Sequence, residues 1–230
     1  MEGYRLGDEI LRRLRERFEI VDEEFVARWV ARTTRDPFRV LVAVIISQNT
    51  AERNTFAAYK RLEEMVGVEP EKIVEAGVER VAEAIRPAGL QEAKARAIVE
   101  AARLVLEKYG GDLGRLLERG VDAVREELLR IPGIGEKTVD VLLSSWGYPV
   151  VAVDTHVRRV ARRLGLAEGS SYRAVREALH RVFRPEKRLE AHLLLILLGR
   201  RICTARRPRC GECPLRDLCP YARKMGVSDT

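Results

Sequence analysis

Residues 131–137 read Ile-Pro-Gly-Ile-Gly-Glu-Lys, and this run constrains the fold more tightly than any other part of the chain. Pro132 fixes its own φ and offers no N–H, while Gly133 and Gly135 tolerate backbone conformations closed to other residues. Apolar residues on either side recur at helical spacing, so the expected unit is two helices joined by a tight hairpin over about 128–146. The second helix carries Lys137. Backbone N–H groups at glycines approach an anion closely, and a helix N-terminus adds partial positive charge. Pro132, Gly133, Ile134 and Gly135 are therefore a candidate phosphate-binding turn.

The rest of the chain reads as helices in series. The periodicity predicts them over 51–65, 78–85, 91–109, 121–129, 137–146, 155–164, 172–183 and 187–198, and no segment sustains the alternation of a strand. Asp36-Pro37 is a start signal for a buried helix through Phe38–Ile46, with Asp as cap and Pro in the first turn. The fold class is all-α. The apolar runs 40–46 and 193–198 are too short to span a membrane. The opening MEGYRLGDEILRRLRERF has no hydrophobic signal region and reads as an amphipathic helix, so a cytoplasmic protein is expected. A net charge of +7 favours a polyanionic partner. Asparagine is confined to Asn49 and Asn54 and glutamine to Gln48 and Gln91, a bias that fits a heat-adapted source.

Lys137 and Asp154 are the candidate reactive pair. A lysine attacks carbon only as the neutral amine, so the role requires desolvation or nearby positive charge. The bland alternatives are an ion pair between Lys137 and a phosphate, and Asp154 as the N-cap of the helix beginning at Thr155. Asp154 is able to serve both roles. His156, one turn into that helix, reads as a structural or DNA-backbone contact. Ser47-Gln48-Asn49-Thr50 is more polar than a continuing helix needs, which marks a functional turn. Leu90, following Gly89, is either a wedge or an ordinary core leucine.

All four cysteines, Cys203, Cys210, Cys213 and Cys219, fall in one C-x6-C-x2-C-x5-C stretch, which does not suit a disulfide scaffold spread through a fold. Four thiolates suit zinc or a [4Fe–4S] cluster, although zinc more often takes two short pairs and only Cys210 and Cys213 form one. Arg206, Arg207 and Arg209, lying between the first two cysteines, would form a basic loop facing DNA phosphates.

The combination of PGIGEKT, VDTH and this cysteine spacing resembles the endonuclease III family of helix-hairpin-helix DNA glycosylases, from about Asp36 to Cys219. The resemblance implies two helical lobes, a six-helix barrel over 30–148 and a cluster lobe of 1–29 plus 149–230, with the active cleft between them. It implies a [4Fe–4S] cofactor on the four cysteines and a monomer, nucleoid-associated, acting on double-stranded DNA with damaged bases or abasic sites. The implied activity is bifunctional: Lys137 displaces an oxidised pyrimidine as a Schiff base, β-elimination nicks the strand, and Asp154 stabilises charge on the sugar. Monofunctional relatives usually place Ser or Tyr at Lys137. The adenine-mismatch enzymes also carry a Glu where this chain has Ala43. Relatives fill the vacated stack with a glutamine; an ungapped match places Asn49 there, with Gln48 adjacent, and places Leu90 at the wedge. Two other readings stand beside this one: a uracil or thymine mismatch glycosylase on the same fold, and a non-catalytic DNA-binding iron–sulfur protein.

Overall fold

The computed structural model describes residues 2–225. Among them no strand forms, and the helices run α1 (Glu2–Arg17), α2 (Val26–Thr34), α3 (Pro37–Ser47), α4 (Glu52–Met65), α5 (Pro70–Ala84), α6 (Gln91–Tyr109), α7 (Gly114–Leu117), α8 (Val121–Leu128), α9 (Glu136–Ser145), α10 (Thr155–Arg163), α11 (Tyr172–Val182), α12 (Arg188–Arg201) and α13 (Pro220–Lys224). No helix of the described chain is long and apolar enough to cross a membrane.

The helices divide into a central unit, Val21–Tyr148, and a terminal unit formed by Met1–Ile20 with Pro149–Thr230. The first boundary thus falls at residue 20 rather than near 30. The physical reason is α2, which packs on α3, α4 and α9 of the central unit. In that unit α3 is the axial helix. Every residue from Val40 to Ile46 is buried, as expected of a helix apolar on all sides. It starts where the sequence predicts: the Asp36 carboxylate accepts from the N–H groups of Phe38 (2.8 Å) and Arg39 (3.3 Å), with Pro37 at the first position. The helix expected over 78–85 forms after Gly77, whose non-helical backbone (φ 71°, ψ 177°) divides α5 in two; the segment from Pro70 to that break was not expected.

In the terminal unit α12 is the buried axis, with Ala191–Gly199 enclosed and α1 and α10 packed against it. α1 also meets α11 at Gly7, where an added Cβ would lie 2.1 Å from the Val182 carbonyl oxygen. Gly7→Ala therefore forces two backbones apart. The expected cost is about 1–3 kcal/mol, read as a lower denaturation midpoint with an unchanged slope.

Candidate active site

The hairpin between α8 and α9 forms as the sequence predicts. Ile134 is buried and anchors the turn, while Pro132, Gly133 and Gly135 are exposed. Gly133 takes φ 92°, a conformation reserved for glycine, and a Cβ there would crowd Ala97 at 3.2 Å. The two helices are tied by an ion pair between Arg125 on α8 and the fully buried Asp140 on α9. Lys137, half-buried, is the second residue of α9 and so lies in the turn of helix directly behind the exposed Gly133–Gly135 backbone.

Gln48 and Asn49 separate clearly. The Gln48 amide donates to the Gly133 carbonyl and to Thr138 Oγ1, both at 3.0 Å, so it braces the hairpin from the end of α3. Asn49 is exposed with φ 52°. Leu90 is 63 % exposed with φ 51°, which removes the core-leucine alternative. Positive φ in non-glycine residues costs of order 1–3 kcal/mol and gathers at working surfaces. Among the described residues only Arg35, Asn49 and Leu90 show it.

In the terminal unit, residues 149–153 run extended into α10 without a partner strand, and side chains satisfy their backbone instead. Val151 N–H donates to His180 Nε2 (3.0 Å) and Val153 N–H to Tyr172 Oη (3.3 Å). The Ala152 carbonyl lies 2.8 Å from His192 Nδ1, and the Pro149 carbonyl accepts from Arg188 Nη1. This scaffold delivers Asp154 as the N-cap of α10: its Oδ1 accepts from Val157 N–H at 2.7 Å. His156 Nδ1 lies 3.0 Å from Arg159 Nη2. Burial, then the nearby Arg159 and Arg200 charges, lower its pKa against the opposing pull of Asp154. The Arg159 contact ties the His156 ring to its own helix.

α10 is also bolted to the cysteine loop. Arg159 Nε donates to the Cys203 carbonyl (2.9 Å), and Arg163 donates to the carbonyls of Thr204 (2.7 Å) and Ala205 (2.9 Å) while stacking over Tyr221. Cys203, Cys210, Cys213 and Cys219 line one small cavity of about 20 Å³, whose other walls include Val160, Leu164, Leu198 and Ile202. Four thiols brought to one site are the donor set that a [4Fe–4S] cluster takes. Burial, reinforced by the neighbouring thiols, pushes Cys213 up to about 11, so metal binding at that sulfur has to displace its proton.

The arginines of the loop all stay open to solvent. Arg206, Arg207 and Arg209 are exposed, and Arg209 in addition donates to the Arg201 carbonyl and pairs with Glu212 at 3.2 Å. Sequence reasoning also missed a groove of about 470 Å³ lined by the four arginines of α10 with Tyr221 and Lys224, and with no acidic residue in its walls. The signal was present as Arg158-Arg159 and Arg162-Arg163 on one helix. Only the fold reveals that all four line the groove and that 159 and 163 also hold the cysteine loop.

Comparison with known proteins matches this arrangement. Residues 42–185 fit the HhH-GPD superfamily of base excision DNA repair proteins, and residues 203–219 fit the iron–sulfur binding domain of endonuclease III. Endonuclease III of Sulfolobus acidocaldarius is 36% identical over 219 residues, covering 94% of this chain and 96% of that protein. Endonuclease III of Escherichia coli (strain K12) is 36% identical over 192 residues, or 83% of this chain and 87% of that one. A trapped endonuclease III–DNA covalent intermediate aligns with TM-score 0.73 and 30% identity over 90% of this chain and all of the other. A thermostable thymine-DNA glycosylase aligns with TM-score 0.75 and 25% identity over 97% and 98%. The hairpin, the capped Asp154 and the cysteine-ringed cavity thus sit in a chain that belongs to the endonuclease III family of HhH-GPD base excision repair proteins.

Proposed function

We propose that this DNA glycosylase and abasic-site lyase excises oxidised pyrimidines from duplex DNA, with Lys137 as nucleophile and Asp154 as its carboxylate partner. The observation that carries the reading is the position of Lys137. Lys137 lies in the first turn of α9, two residues past the exposed Gly135 of a hairpin suited to grip the phosphate of the nucleotide under attack. The Nζ lone pair bonds to C1′ as the glycosidic bond breaks, and the base leaves with that electron pair and takes up a proton. Opening of the C1′–O4′ bond then gives an iminium. Loss of a C2′ proton expels the 3′ phosphate, and water hydrolyses the imine to return the amine. Asp154 stabilises the positive charge that builds on the sugar. The [4Fe–4S] cluster, held by Cys203, Cys210, Cys213 and Cys219, supplies Fe–S bonds that cross-link the loop to which Arg159 and Arg163 fasten α10. Before chemistry the damaged base leaves the stack, with Asn49 filling the vacated position and Leu90 wedging the step beside it. The protein works as a monomer in the cytoplasm, on the nucleoid.

Borohydride trapping on duplexes carrying thymine glycol, dihydrouracil, uracil, a T·G mismatch or an abasic site tests this. The expected result is a covalent adduct and fastest release of the oxidised pyrimidines. Preferential release of uracil or of thymine opposite guanine would move the substrate to the mismatch class, which the structural likeness to a thymine-DNA glycosylase keeps in the panel. Base release with no adduct would indicate activated water, and neither would indicate a binding protein.

The basic loop makes its own prediction. Arg206→Ala is expected to make the slope of log K against log salt less negative by about 0.9, one phosphate contact. Arg209→Ala should change the slope less, because the exposed Arg209 guanidinium is already paired with Glu212. An unaltered slope for Arg206→Ala would remove the loop from the interface.

A further inference from the structure

Among the described residues Lys94 is the one lysine whose side chain the fold encloses, 3 % exposed in the first turn of α6. The position is unfavourable twice over. A cation at a helix N-terminus opposes the helix dipole, and a buried ammonium loses its hydration. Its surroundings offset these costs without an acid. Nζ donates to the Ile46 carbonyl (2.9 Å), to Thr50 Oγ1 (2.6 Å) and to the Ala88 carbonyl (3.0 Å), so all three N–H bonds have acceptors. The Ile46 carbonyl belongs to the last turn of α3, where the dipole presents partial negative charge. The Thr50 hydroxyl is also 2.7 Å from the Ala88 carbonyl, which closes the network. Burial lowers the Lys94 pKa to about 8, so the ammonium form and its three hydrogen bonds prevail at neutral pH.

The groups so joined come from two turns distant in sequence. One, 47–50, holds Asn49 at φ 52°; the other, 86–90, holds Leu90 at φ 51°. Each is a strained, exposed residue at the tip of its turn, and nothing in either turn's own sequence fixes its distance from the other. We propose that Lys94 is a positioning residue that locks these two turns into one rigid unit, presenting Asn49 and Leu90 to the duplex at a fixed separation. The inference rests on the reading of Asn49 and Leu90 as plug and wedge. Opening a stack requires both to enter at once, and freedom between them would cost alignment at that moment.

Lys94→Met keeps the length of the side chain and removes all three donors. The expected result is a loss of about 10²-fold in base release from a lesion in duplex DNA. Cleavage of an abasic site in single-stranded DNA, which has no stack to open, should change little. Fluorescence of 2-aminopurine opposite the lesion should rise less on binding, which reads opening directly even without strand cleavage. Lys94→Met added to an Asn49→Ala, Leu90→Ala background should cost little more, because it acts through those residues. Equal losses on both substrates, no loss on either, or full additivity in that background would overturn the proposal. Should Lys94→Met fail to fold, Thr50→Val removes the hydroxyl bridge alone and is expected to give the same split at smaller size. A wild-type enzyme that forms no adduct on abasic DNA would defeat the role of Lys137 instead, leaving the fluorescence comparison to decide this one.

Discussion

Lys137→Ala is expected to abolish borohydride trapping and to slow abasic-site cleavage on the order of 10⁴-fold or more, the scale seen when a covalent nucleophile is removed. Alanine alone does not separate nucleophile from phosphate contact, since both readings lose something. Lys137→Arg does. A guanidinium keeps the positive charge and binds phosphate at least as well, but it stays protonated and forms no Schiff base. If Lys137 attacks C1′, arginine is as inactive as alanine while DNA affinity and its salt slope stay close to wild type. If Lys137 only pairs with phosphate, arginine restores most of the activity and no variant alters the chemistry at saturating enzyme. Single-turnover kinetics on a pre-formed abasic site reads the difference without interference from base recognition. Arginine at wild-type rate would end the covalent mechanism.

What the sequence made legible here is what local chemistry dictates. The hairpin needs its glycines at a fixed place, Asp36 and Asp154 announce helix starts, and four cysteines crowd one loop. These signals act within a few residues, and the structure reproduces each of them. The assignments that needed tertiary contacts were unreadable or misread. Gln48 and Asn49 are adjacent polar residues in one turn, and only the bond from Gln48 to Gly133 tells them apart. Lys94 sits in QEAKARAIVEAARLV, where a lysine among alanines reads as a solvent-facing residue; its burial depends on turns 48 and 6 positions away in sequence. Leu90 follows a glycine and precedes a helix, a context equally suited to core or surface, and its exposure comes from the left-handed backbone that turns it outward. The unit boundary at residue 20 follows from where α2 packs, which no linker composition marks.

Asp154→Asn is expected to lower base release by about 10²–10³-fold, the usual cost of deleting a preorganised electrostatic partner of a developing charge. DNA affinity and thermal stability should remain near wild type. The reason lies in how the two oxygens of this carboxylate are used. Oδ1 accepts from Val157 N–H and caps α10; asparagine offers a carbonyl oxygen in the same place and is as good a cap as aspartate. The substitution removes charge while conserving the hydrogen bond that sets the helix. Asp154→Ala removes both, and should add a loss of about 1 kcal/mol in stability to the same loss of chemistry. Since α10 is fastened to the cysteine loop by Arg159 and Arg163, the helix should keep its place even in the alanine variant, so the extra damage stays small. Two measurements, a melting curve and single-turnover base release, therefore partition the residue between its roles. If asparagine restores base release to wild-type rate, the cap is the whole of what Asp154 does. If asparagine unfolds the protein as readily as alanine, the negative charge is needed by the fold itself, and the assignment of Asp154 to the sugar is lost.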